Sequence, residues 1–159
     1  MTRRQQLHAA LGKSVLRLRH RFRRGVSLGV KGLALSPAGE VFLVRHSYLP
    51  GFHLPGGGVD PGESSHDALA RELYEEGNLR LSGPAELFGV YFNVGLDRRD
   101  HVLLYVARDV RPVGPPQVPN AEILEAGFHP LDRLPETTTL ATRRRLAEVL
   151  DGEAVSETW

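Results

Sequence analysis

Four glutamates lie close together just after a run of three glycines, and their spacing could support metal-dependent chemistry. They are Glu63, Glu72, Glu75 and Glu76, and the glycines are residues 56–58. On a helix that turns about 100° per residue, the last three glutamates fall within an arc of about 100°. Carboxylates at such spacing repel one another, by roughly 0.2–0.5 kcal/mol for each exposed pair. Either solvent dilutes that cost, as on any charged helix face, or a bound cation offsets it.

The glycines favour the bound cation. Gly56–Gly58 allow backbone carbonyls and amides to approach a ligand closely. Mg²⁺ prefers oxygen ligands and is commonly held by one or two carboxylates together with substrate phosphates. No Gly-Lys-Ser/Thr sequence follows at the spacing of a P-loop. The glycine-rich turn beside a clustered acidic face therefore predicts that phosphate is held through a metal rather than by arginines.

These residues resemble the Nudix box, the sequence motif of the Nudix hydrolases. Gly57 is followed after five residues by Glu63 and, after seven more, by Arg71-Glu72-Leu73-Tyr74-Glu75-Glu76. With the apolar Leu73 and Leu79, eight of the nine fixed positions of the box match. Residue types and spacings must agree together, so the resemblance is specific.

The resemblance extends beyond the box and departs from it at one position. Residues 52–57 resemble the family's aromatic-x-Leu-Pro-Gly-Gly lead-in, and the similarity covers about residues 26–150. Asn78 stands where the family usually has glycine, with Gly77 as the spacer before it. Asparagine is the next-best residue for the left-handed conformation that ends many helices, so we expect little loss.

Membership of this family would imply both a fold and a reaction. The fold is α/β, a Nudix-type α/β/α sandwich with a mixed β-sheet. The reaction is hydrolysis of a phosphoanhydride bond in a nucleoside diphosphate linked to another moiety, with Mg²⁺ or Mn²⁺ as cofactor. Charge supports this interpretation, because an acidic helix cannot bind a pyrophosphate without cations between them.

The resemblance also implies metal ligands. Glu76 and Glu75 are the main expected ligands, and the Gly56 carbonyl is another. Glu72 would be a ligand or the general base that accepts a proton from water.

Further roles follow from the same resemblance. Glu63 would assist, and Arg71 would orient the glutamates through a salt bridge. The general base of some family members lies on a distant loop, so Glu122 or Glu125 could supply another carboxylate here. Glu122 could also be a metal ligand. That both are ordinary surface glutamates is an equal alternative.

Substrate-binding residues are harder to assign. We predict that Arg45, Tyr48, Phe52 and Gly57 contact substrate, with His46 beside them and a second group at Tyr91, Phe92, Asn93, Arg98 and Arg99. For the aromatic residues, packing in the core or at the rim is the favoured alternative to base stacking. His46, His53 and His101 have no ligand-like spacing, and no role is predicted for them.

Composition is that of an ordinary globular chain. Its 159 residues suit one domain, with 41% hydrophobic and 25% charged residues. There is no cysteine and therefore no disulfide or thiolate metal site. No apolar run approaches the roughly 20 residues that span a bilayer, and no signal-peptide core is present. We expect a cytoplasmic protein.

The charge is distributed unevenly. Residues 1–31 hold nine Lys and Arg and no acid, whereas the rest of the chain holds 11 bases and all 19 acids. A basic arm over residues 1–24 is predicted to be helical, with a strand as the alternative, from Leu7, Leu11, Val15, Leu18 and Phe22. It could contact an anionic membrane or a nucleic-acid backbone. The favoured interpretation is packing on its own domain or on the partner of a homodimer.

The chain divides into the arm at 1–24, a Nudix domain at 25–150 and a C-terminal tail at 151–159. Within the domain we predict a hairpin with strands at 26–35 and 40–46, and a helix at 65–76 that Ser64 caps. Further strands are predicted at 79–93, 101–110 and 122–128. A last helix is predicted at 139–150, with four side chains facing inward: Leu140, Leu146, Val149 and Leu150.

Two other functions stay open. One is a catalytically silent nucleotide- or RNA-binding regulator, which would typically lack a box glutamate. The other is a membrane-surface adaptor that uses the arm.

Overall fold

A computed structural model describes residues 25–95 and 98–159. The helix predicted for the basic arm therefore lies outside the described residues. Within them the strands are β1 Ser27–Leu35, β2 Val41–His46, β3 Leu79–Leu81, β4 Glu86–Phe92, β5 Asp100–Arg108, β6 Val110–Pro112 and β7 Ile123–His129. The helices are α1 Ser65–Gly77 and α2 Leu140–Leu146, with a 3₁₀ turn at Leu131–Arg133 and a π-helical turn at Ala147–Asp151.

The main sheet is mixed and has the strand order β4-β5-β1-β2-β7. Its central pair, β1 and β5, is parallel over nine residues, from Ser27 opposite Asp100 to Leu35 opposite Arg108. The other pairs in this sheet are antiparallel, and β3 pairs with β6 in a separate two-stranded sheet. The predicted hairpin of β1 and β2 is present.

Each face of the main sheet is covered by a helix, because successive side chains of a strand point to opposite faces. On one face, Phe42 and Val44 of β2 pack in a core with Leu69 and Leu73 of α1. On the other face, Val41 and Leu43 share a core with Leu146 of α2. The predicted α/β/α sandwich is confirmed.

Helix α1 begins and ends as its sequence predicts. The Ser64 side chain accepts a hydrogen bond from the Asp67 backbone N–H. Asn78 adopts the left-handed conformation with φ 51°, and its N–H donates to the carbonyls of Leu73 and Tyr74. The asparagine therefore performs the helix-ending function expected of the family's usual glycine.

Two predicted strands are each interrupted. The strand predicted at 79–93 divides into β3 and β4, because a bend at Ser82 and Gly83 is followed by Pro84, which has no N–H for a ladder. The strand predicted at 101–110 divides at Asp109, whose positive φ of 63° turns the chain into β6.

The prediction that Leu140 points inward is wrong. Leu140 is 72% exposed, whereas Leu146 is buried. Six residues on an α-helix subtend about 600°, so these two side chains cannot share a face. The inward face instead carries Thr142, Arg145 and Leu146.

A buried ionic cluster lies at the inward face of α2. Arg145 is fully buried and donates to Glu148 Oε1 at 2.6 Å. The Tyr91 hydroxyl donates to Glu148 Oε2 at 2.8 Å, and the Ser156 N–H donates to Oε1 at 3.0 Å. Trp159 packs edge-on against Tyr91 with ring centroids 5.6 Å apart. We call Tyr91, Arg145, Glu148 and Trp159 the C-terminal cluster.

None of the helices in the described ranges combines the length and the hydropathy needed to cross a membrane.

Candidate active site

The glycine-rich loop between β2 and α1 runs beside β1. The Val30 N–H donates to the Gly57 carbonyl at 2.8 Å, and the Gly32 N–H donates to the Pro55 carbonyl at 2.9 Å. Gly56 lies between these contacts with φ 134°. A Cβ there would lie 2.2 Å from the Val30 carbonyl oxygen, so only glycine fits.

Glu76 is the buried member of the box. Its side chain reaches the loop, where the Gly56 N–H donates to Glu76 Oε2 at 2.7 Å. Burial raises the pKa of Glu76 to about 7, against the opposing effects of the Lys31 charge and the Gly56 N–H. A carboxylate held in this way favours a cation nearby when it ionises.

Lys31 supplies a cation at this position. From β1 its ammonium donates to the Gly56 carbonyl at 2.6 Å and to the Leu54 carbonyl at 3.0 Å. Burial lowers the pKa of Lys31, while the charges of Glu76, Glu72 and Glu122 act to raise it. From the sequence, this residue was counted only among the nine basic residues of positions 1–31. Its position in an otherwise apolar strand was the available signal.

Arg71 holds the exposed side of the site. Its guanidinium donates to both oxygens of Glu63, at 2.9 and 3.0 Å, to Glu72 Oε1 at 2.7 Å and to Glu75 Oε2 at 3.3 Å. It also donates to the Gly58 carbonyl at 2.9 Å. The hydrogen bonds from Arg71 lower the pKa of Glu63 to about 2.

The remaining glutamates of the box differ in exposure. Burial raises the pKa of Glu72, and its carboxylate lies so close to Gly57 that a Cβ there would be 2.4 Å from Glu72 Oε1. The Glu75 side chain is 57% exposed and lies at the rim.

Of the two later glutamates, one joins this cluster. Glu122, in the connection before β7, accepts a hydrogen bond from the Tyr48 hydroxyl at 3.0 Å, and its charge acts on Lys31. Burial and Glu122 together raise the pKa of Tyr48. Glu125 instead pairs with Arg45 across the β2–β7 ladder.

The predicted substrate residues are distributed between the site and the core. Arg45 and Tyr48 lie on the side of Glu125 and Glu122. Phe52 is 7% exposed and packs edge-on against His129, so it belongs to the core beneath the loop. Of the second group, Tyr91 is fully buried in the C-terminal cluster.

His46 is a residue of the site for which the sequence predicted no role. It ends β2, is 4% exposed, and places Nε2 3.7 Å from Glu76 Oε1. Burial lowers the pKa of His46 to about 3, which keeps the imidazole neutral. Its Nδ1 is buried and has no hydrogen-bond partner among the described residues. A lone histidine at a strand end carries no spacing signal.

The donor set fits a hard divalent cation. The Gly56 carbonyl accepts a hydrogen bond from the Lys31 ammonium. Glu72 and Glu76 are close enough to act on the charge of that ammonium, so one positive group already has three oxygen-bearing groups near it. Across residues 25–95 and 98–159, however, no three His, Asp or Glu side chains are arranged to hold an ion as they stand. Arg71 and Lys31 occupy the donors, and metal binding would require these contacts to rearrange.

A separate cavity of about 520 Å³ lies at the end of α1. Its walls include Phe42, Gly77 and the proline-rich residues 112–116. None of the described residues that line it carries a charged side chain. It therefore lacks the groups that hold a pyrophosphate.

Comparison with known proteins places this geometry in a family. The family model of the NUDIX domain matches residues 27–150. The chain belongs to the NUDIX domain family.

Two curated relatives are similar over part of their length. A Bacillus subtilis (strain 168) protein provisionally named 8-oxo-dGTP diphosphatase is 39% identical over 59 residues, which are 37% of this chain and 39% of the relative. Diphosphoinositol polyphosphate phosphohydrolase 2 of Rattus norvegicus is 40% identical over 68 residues, 42% of this chain and 36% of the relative. The matches thus span about two fifths of these relatives.

Solved structures extend the similarity. A MutT NUDIX hydrolase from Burkholderia pseudomallei is 29% identical, with a TM-score of 0.64, and the match covers 77% of this chain and 97% of that one.

Proposed function

We propose that this chain hydrolyses a phosphoanhydride bond in a nucleoside diphosphate linked to another moiety, with Mg²⁺ or Mn²⁺. The observation that carries the proposal is the buried Glu76 carboxylate, bonded to the Gly56 N–H beside a carbonyl that already accepts from a cation. Every box glutamate is present, which disfavours a catalytically silent regulator. The adaptor function depends on the arm, which lies outside the described residues.

Glu76, Glu72 and the Gly56 carbonyl would hold the metal, with Glu75 at the rim and Glu122 from the connection before β7. A divalent ion bound there would polarise the phosphoryl group and lower the pKa of the attacking water.

The chain's own residues would supply the remaining functions. Arg71 contacts Glu63 and Glu72 and would orient both carboxylates around the metal site. Glu72 and Glu122 are the candidates to accept the water's proton, Glu72 from helix α1 and Glu122 from the connection before β7. Arg45 and Tyr48 would contact the substrate from the β2 side. Gly57 would let the substrate approach the backbone closely.

The relatives' names do not agree on a substrate. One names an oxidised nucleotide and the other an inositol polyphosphate. The chemistry that both names share is a phosphoanhydride between a substituted phosphate and its neighbour, and the proposal leaves open which moiety is linked to the nucleoside diphosphate.

The test is a Mg²⁺-dependent screen of nucleoside diphosphate derivatives, with products identified by mass and with EDTA as the metal-free control. Glu76→Gln is expected to keep the fold and to lower turnover by about a hundredfold to a thousandfold. Glu86→Gln is the matched control, because Glu86 is an exposed glutamate of strand β4. Equal turnover in the Glu76→Gln and Glu86→Gln proteins would refute the site assignment.

A further inference from the structure

We propose that Lys31 is a resident cation of the metal site, which holds the Gly56 carbonyl until a divalent ion displaces it. This inference rests on the proposed function, because it assumes that the Gly56 carbonyl is a metal ligand. Lys31 then sets the metal concentration at which the site fills.

The contact that supports this role is short and partly buried. The Lys31 ammonium lies 2.6 Å from the Gly56 carbonyl oxygen and 3.0 Å from that of Leu54. Both acceptors belong to the loop whose backbone is fixed against β1 through Gly32 and Val30. A divalent ion on the Gly56 oxygen would be repelled by the positive charge of the ammonium at that distance, so the two cations compete for this oxygen.

The surrounding charges favour some cation at this position. Glu76, Glu72 and Glu122 all act on the charge of Lys31. Glu76 has the Gly56 N–H as its hydrogen-bond donor, and the nearby His46 is held neutral by burial. Arg71 already pairs with Glu72, but without Lys31 the buried Glu76 and the Gly56 carbonyl would have no ammonium beside them in the metal-free site.

Displacement costs the ammonium only one of its two carbonyl bonds. The Leu54 carbonyl stays available after the Gly56 contact is lost, so Lys31 need not leave the site. Removal of the ammonium therefore removes a competitor for the metal without removing a ligand. The expected gain in metal affinity is about tenfold to a hundredfold, which corresponds to one hydrogen bond to a charged group.

Metal affinity is the first measurement. Lys31→Met has a neutral side chain of similar length, and Mn²⁺ binding to it and to the wild-type protein is compared by calorimetry. Arg108→Met is the matched control, because it removes one positive charge from the exposed end of the neighbouring strand β5, where Arg108 lies opposite Leu35 and not opposite Lys31. The inference expects tighter Mn²⁺ binding by about tenfold to a hundredfold in Lys31→Met and a change below about threefold in Arg108→Met. Equal tightening in both variants, or none in Lys31→Met, would overturn it.

The second measurement tests directly whether the metal displaces the Lys31 ammonium. The sequence makes the signals easy to assign. The chain has only two lysines, Lys13 and Lys31. In protein labelled with ¹⁵N-lysine, the Lys13→Met variant assigns the two side-chain signals even if Lys31→Met does not fold. The Lys31 signal should shift in step with Mg²⁺ occupancy, and a signal that stays in place at saturation would contradict displacement.

These outcomes separate the inference from the proposed function. If wild-type and Lys31→Met proteins both bind no Mn²⁺, the metal-site assignment fails and the inference fails with it. If Lys31→Met binds Mn²⁺ more tightly, and the Lys31 signal shifts, but no substrate is hydrolysed, the inference stands while the proposed reaction is refuted.

Discussion

Two glutamates of this protein are buried to a similar degree but differ in their partners. Glu76 in the candidate site is 8% exposed and Glu148 in the C-terminal cluster is 5% exposed. Glu148 accepts hydrogen bonds from Arg145, Tyr91 and the Ser156 N–H. Among the described residues, Glu76 accepts one side-chain hydrogen bond, from the Gly56 N–H. The imidazole nearest to its carboxylate in ion-pair range is that of His46, which is neutral.

The difference distinguishes a buried carboxylate that stabilises the fold from one that is available to bind a ligand. A carboxylate has about four lone-pair sites, and in Glu148 most are used by a guanidinium, a phenol and an amide. Glu76 retains unused acceptor capacity next to a carbonyl oxygen and a displaceable ammonium. A group with spare capacity in a partly closed site is suited to binding, whereas a saturated one holds elements together.

The largest expected effect comes from breaking the saturated pair. Arg145→Met leaves Glu148 buried without its cation, and we expect a loss of about 3–5 kcal/mol in the free energy of unfolding, measured by urea denaturation. Turnover per folded molecule should change little, because Arg145 lies in the C-terminal cluster. The double variant Arg145→Met/Glu148→Met should lose less than the single one. A loss under about 1 kcal/mol for the single variant would show that the pair is not structural.

The second prediction concerns the pH dependence of Glu76. Its pKa of about 7 in the folded protein exceeds the unfolded value of 4.5, so the stability it contributes is present below pH 4.5 and is lost as the pH rises through 7. Relative to Glu76→Gln in EDTA, the wild-type protein should therefore lose about 3 kcal/mol between pH 4.5 and pH 8. The lowered pKa of His46 makes the free energy of unfolding change with pH in the opposite direction. Both proteins contain His46, so this contribution cancels from the difference between them.

Denaturation of both proteins at several pH values measures this difference. Mg²⁺ should restore the wild-type stability at pH 8 and leave Glu76→Gln almost unchanged. A pH-independent difference between the two proteins would mean that Glu76 is ionised over the whole pH range and that a partner already compensates its charge.

The third prediction tests whether Arg71 holds the rim of the site. Arg71→Gln removes the two hydrogen bonds to Glu63, so the pKa of Glu63 should rise from about 2 towards its usual 4.5. Carboxyl ¹³C NMR titration measures this change, with Arg71→Lys as the charge-preserving control. The control should give an intermediate value, since lysine cannot form the two-point contact. A Glu63 pKa that stays near 2 in Arg71→Gln would assign the shift to another group.

The smallest effect is expected where each helical segment ends. Asn78 follows Glu76, and Gly152 with φ 71° follows the turn that carries Glu148. Asn78→Gly should change stability by less than about 1 kcal/mol and turnover by less than about twofold, because glycine adopts the same conformation. Gly152→Ala should cost about 1–2 kcal/mol, because alanine is strained there. Thermal denaturation compares them, and a larger loss in Asn78→Gly would show that the asparagine side chain is needed.

Much of the fold and the outline of the site follow from the sequence. The helix α1 was predictable because Ser64 and Asn78 carry local signals for its two ends, and the box spacing places its glutamates. The hairpin of β1 and β2 was predictable from the turn residues between two apolar runs. These features depend on residues that are near one another in the chain.

The features that the sequence did not predict depend on contacts between distant segments. Lys31 and His46 lie on different strands and meet Glu76 only after the sheet assembles. Arg145 and Glu148 have the spacing of an ordinary exposed helical pair. Their burial depends on Tyr91, which lies 57 residues before Glu148, and on Trp159, which folds back from the C-terminal segment. It also depends on the π-helical turn, which alters the helical period.

The parallel pairing at the centre of the sheet has a consequence for how the chain is made. Strand β1 is synthesised before its partner β5, which begins 73 residues after Ser27. Until β5 leaves the ribosome, one edge of β1 lacks the strand that pairs with it in the finished sheet. Pairing over such a separation is slow to close, so newly made chains pass through an interval in which this apolar edge is open to aggregation.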